Sequence, residues 1–382
     1  SSWNVTGLFV NTTYYYRIKA RNKNNIETIY VTLPSTATLC VVPGVPSFDG
    51  IFITSITVSW ADGGNPAGTI YELWSSNADS LLSAGEVIWS GTNTIKIHSG
   101  LGPNTTHFYR VRARNHSGIV TAYNPVVIST FTLCALPLAA PFTNVTSTSI
   151  TANWLPNGNS DGTEYYVECS SVATDFISVV SSSGWTTQIN WVATSLLLNT
   201  TYYFRVKARN YGYIETSWTL LGSTRTLCNV PGIPDLINAT TTSLTVIIDE
   251  NGNPPEVLYS IKCILPTGAT NYVQSDGSLG SGAIYRTRTD WETSGSTVTG
   301  LSVNQKYTFS VNAKGPGDAP ATEYSLPRSS YTLANIPAEL AFVSVTTDTI
   351  TVSWDANGNP PQTQYTVECS TSSEFSVINQ SS

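Results

Sequence analysis

The sequence predicts an all-β protein built from tandem β-sandwich modules, and three observations predict it. A block of about 94 residues repeats: Thr-Leu-Cys stands at 38–40, 132–134 and 226–228, and Thr332-Leu333-Ala334 continues it after an insertion. Each block holds runs that alternate apolar and polar residues, the period of a strand with one buried face. Hydrophobic residues make up 41% of the 382 and charged residues only 11%. Thr, Ser, Asn, Tyr and Val are plentiful, a composition suited to strands and poor for long helices.

The elements of a block follow in a fixed order. After Thr-Leu-Cys comes a proline-containing linker, Val42-Pro43-Gly44-Val45-Pro46 or Val230-Pro231-Gly232-Ile233-Pro234. Proline limits backbone freedom there, so the modules are joined by short semi-rigid hinges. Next is an alternating strand closed by tryptophan: Ser55 to Trp60, Ser149 to Trp154 and Thr349 to Trp354. A turn rich in Asn, Gly and Pro follows at 63–66, 157–160, 251–254 and 357–360. It leads into a second alternating strand, Tyr365-Thr366-Val367-Glu368-Cys369 in the last copy. Further on, Leu101-Gly102-Pro103-Asn104-Thr105-Thr106 precedes the run His107 to Asn115, with counterparts at 11–22 and 199–210.

These residues resemble the fibronectin type III family: a tryptophan ending strand B, Tyr-x-Val on strand C, and Leu-x-Pro-x-Thr-x-Tyr-x-x-Arg-Val-x-Ala-x-Asn across the E to F corner. The resemblance implies an immunoglobulin-like, seven-stranded sandwich, with strands A, B and E in one sheet and C', C, F and G in the other. It places the family's tyrosine corner at Tyr14, Tyr202 and Tyr307. His107 stands at that corner in one module and Ile248 replaces the tryptophan in another, so those two modules are expected to be less rigid. Trp60, Trp154 and Trp354 are expected in cores, whereas Trp74, Trp89, Trp185, Trp191, Trp218 and Trp291 have no assigned place.

The register gives three whole modules, 40–133, 134–227 and 228–333, flanked by two fragments. Residues 1–39 align with strands E, F and G of a module, and residues 334–382 with strands A, B, C and C'. Half a sandwich exposes an apolar sheet face and unpaired edge groups, which proteins pair or cover. The fragments tile without overlap. Two explanations fit: a longer protein interrupted within two modules, or subunits assembling head to tail, the C-terminal half of one chain completed by residues 1–39 of the next. The second resembles donor-strand complementation, and a heterologous contact that does not close generates a filament.

Within this fold the exit of strand G and the end of strand C share a pole. Cys228 is therefore expected to pair with Cys169. By the same reasoning Cys40 needs Cys369 of a neighbouring chain, an intermolecular disulfide, while Cys134 and Cys263 stay unpaired. Sequons stand at Asn4, Asn11, Asn104, Asn115, Asn144, Asn199, Asn238 and Asn379. Asn11, Asn104 and Asn199 recur as Asn-Thr-Thr before an aromatic, read either as N-linked glycosylation sites at an exposed corner or as a polar turn inherited with the repeat. Sequons and disulfides together indicate an extracellular, secreted or cell-surface location.

Nothing points to catalysis, and no cofactor is implied. The three histidines, His98, His107 and His116, lie in one module without metal-ligand spacing. Asp249 with Asn251 and Asn253, or Asp355 with Asn357 and Asn359, offers alternate oxygens for Ca²⁺ or for ordinary Asx turns. A net charge of -7 with scattered Lys and Arg provides no basic stripe for nucleic acid. No apolar run reaches the ~18 residues of a membrane helix, and the first ten residues lack a signal-peptide layout, so the chain reads as a mature or excised segment. The expected function is a non-enzymatic extracellular structural or adhesive protein that self-associates into filaments through split modules. The alternatives are spacer modules of a cell-surface adhesin or receptor ectodomain, and the non-catalytic part of a secreted polysaccharide hydrolase.

Overall fold

The computed structural model describes residues 1–382 apart from 79–84, 174–175, 318, 379 and 382. The described residues hold strands and no helix, and so no helix long and apolar enough to cross a membrane. The chain divides into two compact units. The first comprises Ser1–Thr143, Thr151–Ala193 and Tyr202–Ser223; the second comprises Asn144–Ile150, Thr194–Thr201 and Thr224–Ser382.

In the 40–133 module a three-stranded sheet is ordered Ser47–Ile51, Ser55–Ser59, Ile95–Ser99. A four-stranded sheet is ordered Ile128–Phe131, Thr106–Arg114, Ile70–Ser76, Glu86–Gly91. Every pairing is antiparallel. The alternation read in the sequence decides which side chains meet between the sheets: Ile56 and Val58 from one, and Leu73, Tyr109, Val111 and Ala113 from the other, in a single cluster. Thr106–Arg114 buries every second residue, as the sequence period requires.

The next module repeats this plan. Leu138–Thr143, Ile150–Leu155 and Asn190–Ala193 form one sheet, and Val179–Thr186, Glu164–Ser170, Thr201–Arg209 and Thr219–Arg225 the other. In 228–333 the smaller sheet is Asp235–Ile237, Leu244–Ile247, Ser296–Val298. The larger sheet runs Leu279–Gly280, Thr270–Val273, Leu258–Ile264, Lys306–Lys314, Arg328–Tyr331, with Arg286–Thr287 also paired to Leu258–Ile264. This is the sheet arrangement that the family resemblance implies.

Two departures from the motif resolve physically. Ile248 leaves the third module without its strand tryptophan, yet Trp291, from the inserted segment, is 1% exposed in the same core cluster as Ile248. Its Nε1 donates to the Tyr259 carbonyl at 2.7 Å. The insertion thus supplies the missing ring and a satisfied N–H, and the expected loosening of this core has no counterpart in its packing. At the other departure, His107 is buried and its Nε2 pairs with Thr105 Oγ1 at 2.8 Å. A local hydroxyl bond stands where the tyrosine bond would be.

The tyrosine corner forms where expected at Tyr14, whose phenol accepts from the Phe9 N–H at 2.9 Å, and at Tyr307, whose phenol accepts from the Ser302 N–H at 2.8 Å. Tyr307 is buried, so removing its hydroxyl strands a backbone donor. Tyr307→Phe is expected to destabilise the 228–333 module by about 1–3 kcal/mol. A lowered urea midpoint with an unchanged slope, followed through a probe in that module, checks it.

Candidate functional site

The features that recur in every block converge on the module junctions, and asparagine side chains make them. The last Asn of each Asn-Gly-rich turn, at 65, 159, 253 and 359, is buried. Its Oδ1 accepts from the backbone N–H of Val41, Ala135, Asn229 and Asn335, at 2.8, 2.8, 2.7 and 2.7 Å. Its Nδ2 donates to the carbonyls of the same four residues, at 2.8, 2.9, 2.9 and 2.8 Å. A side-chain amide thus imitates a neighbouring strand and satisfies both polar groups of one linker residue. Two of the three side chains considered at each Ca²⁺ candidate thus have an oxygen engaged: beside Asn253 and Asn359, Asp249 accepts from Asn251 N–H and Asp355 from Asn357 N–H, the Asx-turn geometry.

The second contact comes from the preceding module. Asn11, Asn104, Asn199 and Asn304 sit at φ of 43°, 52°, 48° and 49°, a left-handed position asparagine tolerates. Their Nδ2 groups reach the following module at Thr69 Oγ1, Thr163 Oγ1, Glu256 Oε1 and Thr363 Oγ1, at 2.8, 2.8, 3.1 and 2.7 Å. The threonine of Thr-Leu-Cys locks the same corner. Thr38, Thr132, Thr226 and Thr332 accept from the N–H of Thr12, Thr105, Thr200 and Gln305 at 2.9–3.0 Å.

The expectation of an exposed, glycosylated corner is corrected here. Asn11, Asn104 and Asn199 are 1%, 0% and 5% exposed, and the nitrogen that a glycan would occupy is already a donor across the junction. Asn115 is also buried and donates to the Ala37 and Thr38 carbonyls. Asn4, Asn144 and Asn238 are exposed, and Asn379 lies outside the described residues. The sequence held the signal: position 304 keeps the Asn although Asn304-Gln305-Lys306 is no sequon. What repeats is the asparagine, not the acceptor motif.

The expected Cys169–Cys228 disulfide is likewise corrected, since all six cysteines are free thiols. Cys228 is packed into the core of the module it enters, in one cluster with Tyr259 and Cys263. Cys40 packs against the core that holds Trp60 and Tyr71. A linker cysteine therefore belongs to the module ahead of it, not to the one it leaves. Burial pushes Cys169 up to about 12 and Cys228 up to about 11, which suppresses the thiolate that disulfide exchange needs. The Cys40–Cys369 bridge, expected on the same shared-pole reasoning, would lie between two copies, and in the single chain both are free thiols.

The junctions are not equal. At the first two, the residue after the second strand asparagine donates its N–H back to the clamp: His116 to Asn11 Oδ1 and Tyr211 to Asn104 Oδ1, both at 2.8 Å. Asn115 and Asn210 add bonds to preceding carbonyls, as at Thr132. At the third junction these positions are Gly315 and Pro316. Proline has no N–H, and a Cβ at 315 would lie 2.3 Å from Asn199 Oδ1. That oxygen instead meets Arg225 at 3.5 Å. Asn199 thus holds its junction with fewer bonds than Asn104 does.

On the outer face of the larger sheets, cations lie between aromatic rings. Arg205 sits 4.2 Å from the Trp218 ring and Arg209 4.2 Å from Trp185. Arg110 lies 4.5 Å from Trp74 and 4.0 Å from Tyr123, and Arg17 lies 4.0 Å from Tyr30. Carboxylates complete the set: Glu168 accepts from Arg205 Nε at 2.7 Å, and Glu164 from Arg209 Nε at 2.6 Å. Trp74, Trp185 and Trp218, unplaced by the sequence, are the rings of this ladder.

A cavity of about 400 Å³ in the 40–133 module is lined by His98, His107, Ser75 and Glu86 among others. His98 Nδ1 meets the Tyr109 hydroxyl at 3.0 Å. Among the described residues no group of three or more His, Cys, Asp or Glu could hold a metal. Burial, with Lys96 adding repulsion, lowers the His98 pKa; burial and then His98 lower His107 to about 4.

Two outcomes follow from this geometry. Asn104→Ala strands the Tyr211 N–H and is expected to cost about 2–3 kcal/mol, against about 1 kcal/mol for Asn199→Ala, where proline replaces that donor. Urea unfolding of the two variants side by side checks the order. Because the folded module holds His107 neutral, its stability is complete above pH about 6.5 and falls as the pH drops towards 4, by roughly 2–3 kcal/mol. His107→Gln is expected to flatten that part of the melting temperature against pH.

Comparison with known proteins agrees with the residue pattern. Residues 137–220 match the fibronectin type III domain model. Among solved structures, the chain is similar to the chicken CNTN1 FN1-FN3 domains at 16% identity, over 76% of this chain and 98% of that one, with a TM-score of 0.24. The matched segment carries the sheet order, strand tryptophan and corner asparagine that recur in 40–133 and, with Trp291 from the insertion serving for the tryptophan, in 228–333. Residues 137–220 are thus a fibronectin type III domain, and the residue pattern they carry repeats along the chain.

Proposed function

We propose that the chain is a non-catalytic, extracellular structural protein whose copies associate head to tail into filaments by completing one another's split modules. The coarser part of this reading, an extracellular adhesive or structural module protein, is the role that fibronectin type III domains suit. The observation that carries the finer part is the exposure of two sheet faces whose counterparts are buried elsewhere in the same chain. Ile18 is 62% exposed, whereas its repeat equivalents Val111 and Val206 are fully buried. Ile350 is 59% exposed, whereas Ile56 and Ile150 are fully buried.

Burying such faces is worth about 25 cal/mol per Å² of apolar surface, so they are a standing drive to associate. Residues 1–39 present the edge and face of strands E, F and G, and residues 334–382 those of A, B, C and C'. The complementary occupant of each is the other, on a second copy. The clamps support a mechanical role. Because both outer fragments are joined to their neighbouring modules by the same asparagine bonds, load entering at a copy-to-copy contact passes to hydrogen-bonded joints.

The 382-residue chain is expected to show mass that grows with concentration in light scattering, and linear polymers in negative-stain micrographs with a repeat of about four modules. The polymers are expected to survive reducing agent. A monodisperse monomer at every concentration overturns the reading.

A further inference from the structure

We infer the strand register of the copy-to-copy contact: Arg17 of one copy lies opposite Glu368 of the next, with Ile18 opposite Val367 and Ala20 opposite Tyr365. This rests on the head-to-tail reading above and deepens it, and it is fixed by bonds that recur inside the chain.

The 134–227 module shows what the completed contact looks like. There Glu168 is opposite Arg205, Val167 opposite Val206 and Tyr165 opposite Ala208. Arg205 is held between the Trp218 ring and the Glu168 carboxylate. Counting from the corner asparagine, Arg17 stands where Arg205 does, and Tyr30 where Trp218 does. Arg17 is already stacked on Tyr30 at 4.0 Å. Lys19 pairs with Glu27 as Lys207 pairs with Glu215. The contacts within residues 1–39 therefore match those around Arg205, apart from the carboxylate.

The other half is equally formed. Tyr365 packs on Trp354 with ring centroids 5.4 Å apart at 57°, as Tyr165 packs on Trp154 at 5.7 Å and 57°. Counting from those tryptophans, Glu368 stands where Glu168 does, and it is exposed. One half offers a stacked guanidinium and the other a carboxylate at the matching register position, a complementarity of charge as well as of face.

Backbone groups set the same register independently. In each whole module two leucine N–H groups donate to the turn that joins the first two strands. Leu101, Leu196 and Leu301 reach the carbonyls of Thr54, Thr148 and Thr242 at 3.0–3.1 Å. Leu133, Leu227 and Leu333 reach those of Phe52, Thr146 and Thr240 at 2.8–3.1 Å. The equivalent donors in 1–39 are Leu8 and Leu39, and that stretch contains no such turn. The equivalent carbonyls are Asp348 and Thr346, which belong to 334–382. A shift of one residue would break both bonds and turn Ile18 away from the apolar face.

Charge reversal on the 382-residue chain tests the register. Arg17→Glu and Glu368→Arg, each alone, are expected to weaken assembly at least about tenfold in concentration dependence by light scattering, because like charges then face each other. The double variant, and a one-to-one mixture of the two single variants, are expected to assemble again, since every contact in an alternating polymer regains an opposite pair. Cys369 is exposed in the single chain whereas its equivalent Cys169 is fully buried, so its alkylation is expected to slow at least about tenfold on assembly. If wild-type protein never assembles, the head-to-tail reading falls and takes the register with it. If wild type assembles but the single variants assemble equally well, or the mixture fails to recover, or Cys369 stays reactive in the polymer, the register alone is overturned.

Discussion

Every linker in this chain depends on an amide side chain standing in for a strand. A connecting segment between two sandwiches has backbone groups that neither sheet pairs, and leaving them buried without partners would cost about 1–3 kcal/mol each. Asn65, Asn159, Asn253 and Asn359 remove that cost with one donor and one acceptor aimed at a single linker residue. Asn is the residue type for the task, since its amide reproduces the peptide pattern on a short side chain. Once the linker is held, the corner asparagine of the preceding module comes within reach of Thr69, Thr163 or Thr363, and the two contacts together define a joint.

Sandwich architecture was legible from period-two alternation, because a one-residue slip would move every apolar side chain to the wrong face. The tryptophans at 60 and 154 and the corner tyrosines at 14 and 307 were legible for the same reason: each has one place in the repeat where its size and its polar atom are both accommodated. Long-range pairing was not. Nothing in the local sequence says that Trp291, deep in an insertion, fills the core at Ile248, since that match is made across the sandwich. The cysteines misled because a shared pole says nothing about which core a side chain enters, and Cys228 turns forward into the next module. The corner asparagines misled because a sequon and a structural clamp use the same nitrogen, and only the non-sequon at Asn304 separates them.

The outer face of the larger sheets has a different economy. Strand positions that point away from the core are filled with Arg and Lys, which would be mobile and weakly held as isolated surface pairs. Arg205 and Arg209 each lie on a ring and beside a carboxylate, so their rotamers are narrowed by two neighbours at once. Arg205 has Trp218 and Glu168, and Arg209 has Trp185 and Glu164. The ring comes from the connection after the strand in the case of Trp218, and from the edge strand beyond Glu164–Ser170 in the case of Trp185. The ladder therefore ties irregular backbone to the sheet without using any core volume, which explains how so many aromatic residues are carried outside the cores.

One property of the joint reaches beyond a single molecule. Each whole repeat carries the corner asparagine that reaches forward and also the turn asparagine and the threonine, or in 228–333 Glu256, that receive the contact from behind. Tandem duplication of one such unit would yield a longer chain whose new seam is already complete, with no compensating change elsewhere. The length of such a protein can therefore drift over generations while its mechanics stay constant, and the Gly315-Pro316 variation marks where one inherited seam has since diverged from its siblings.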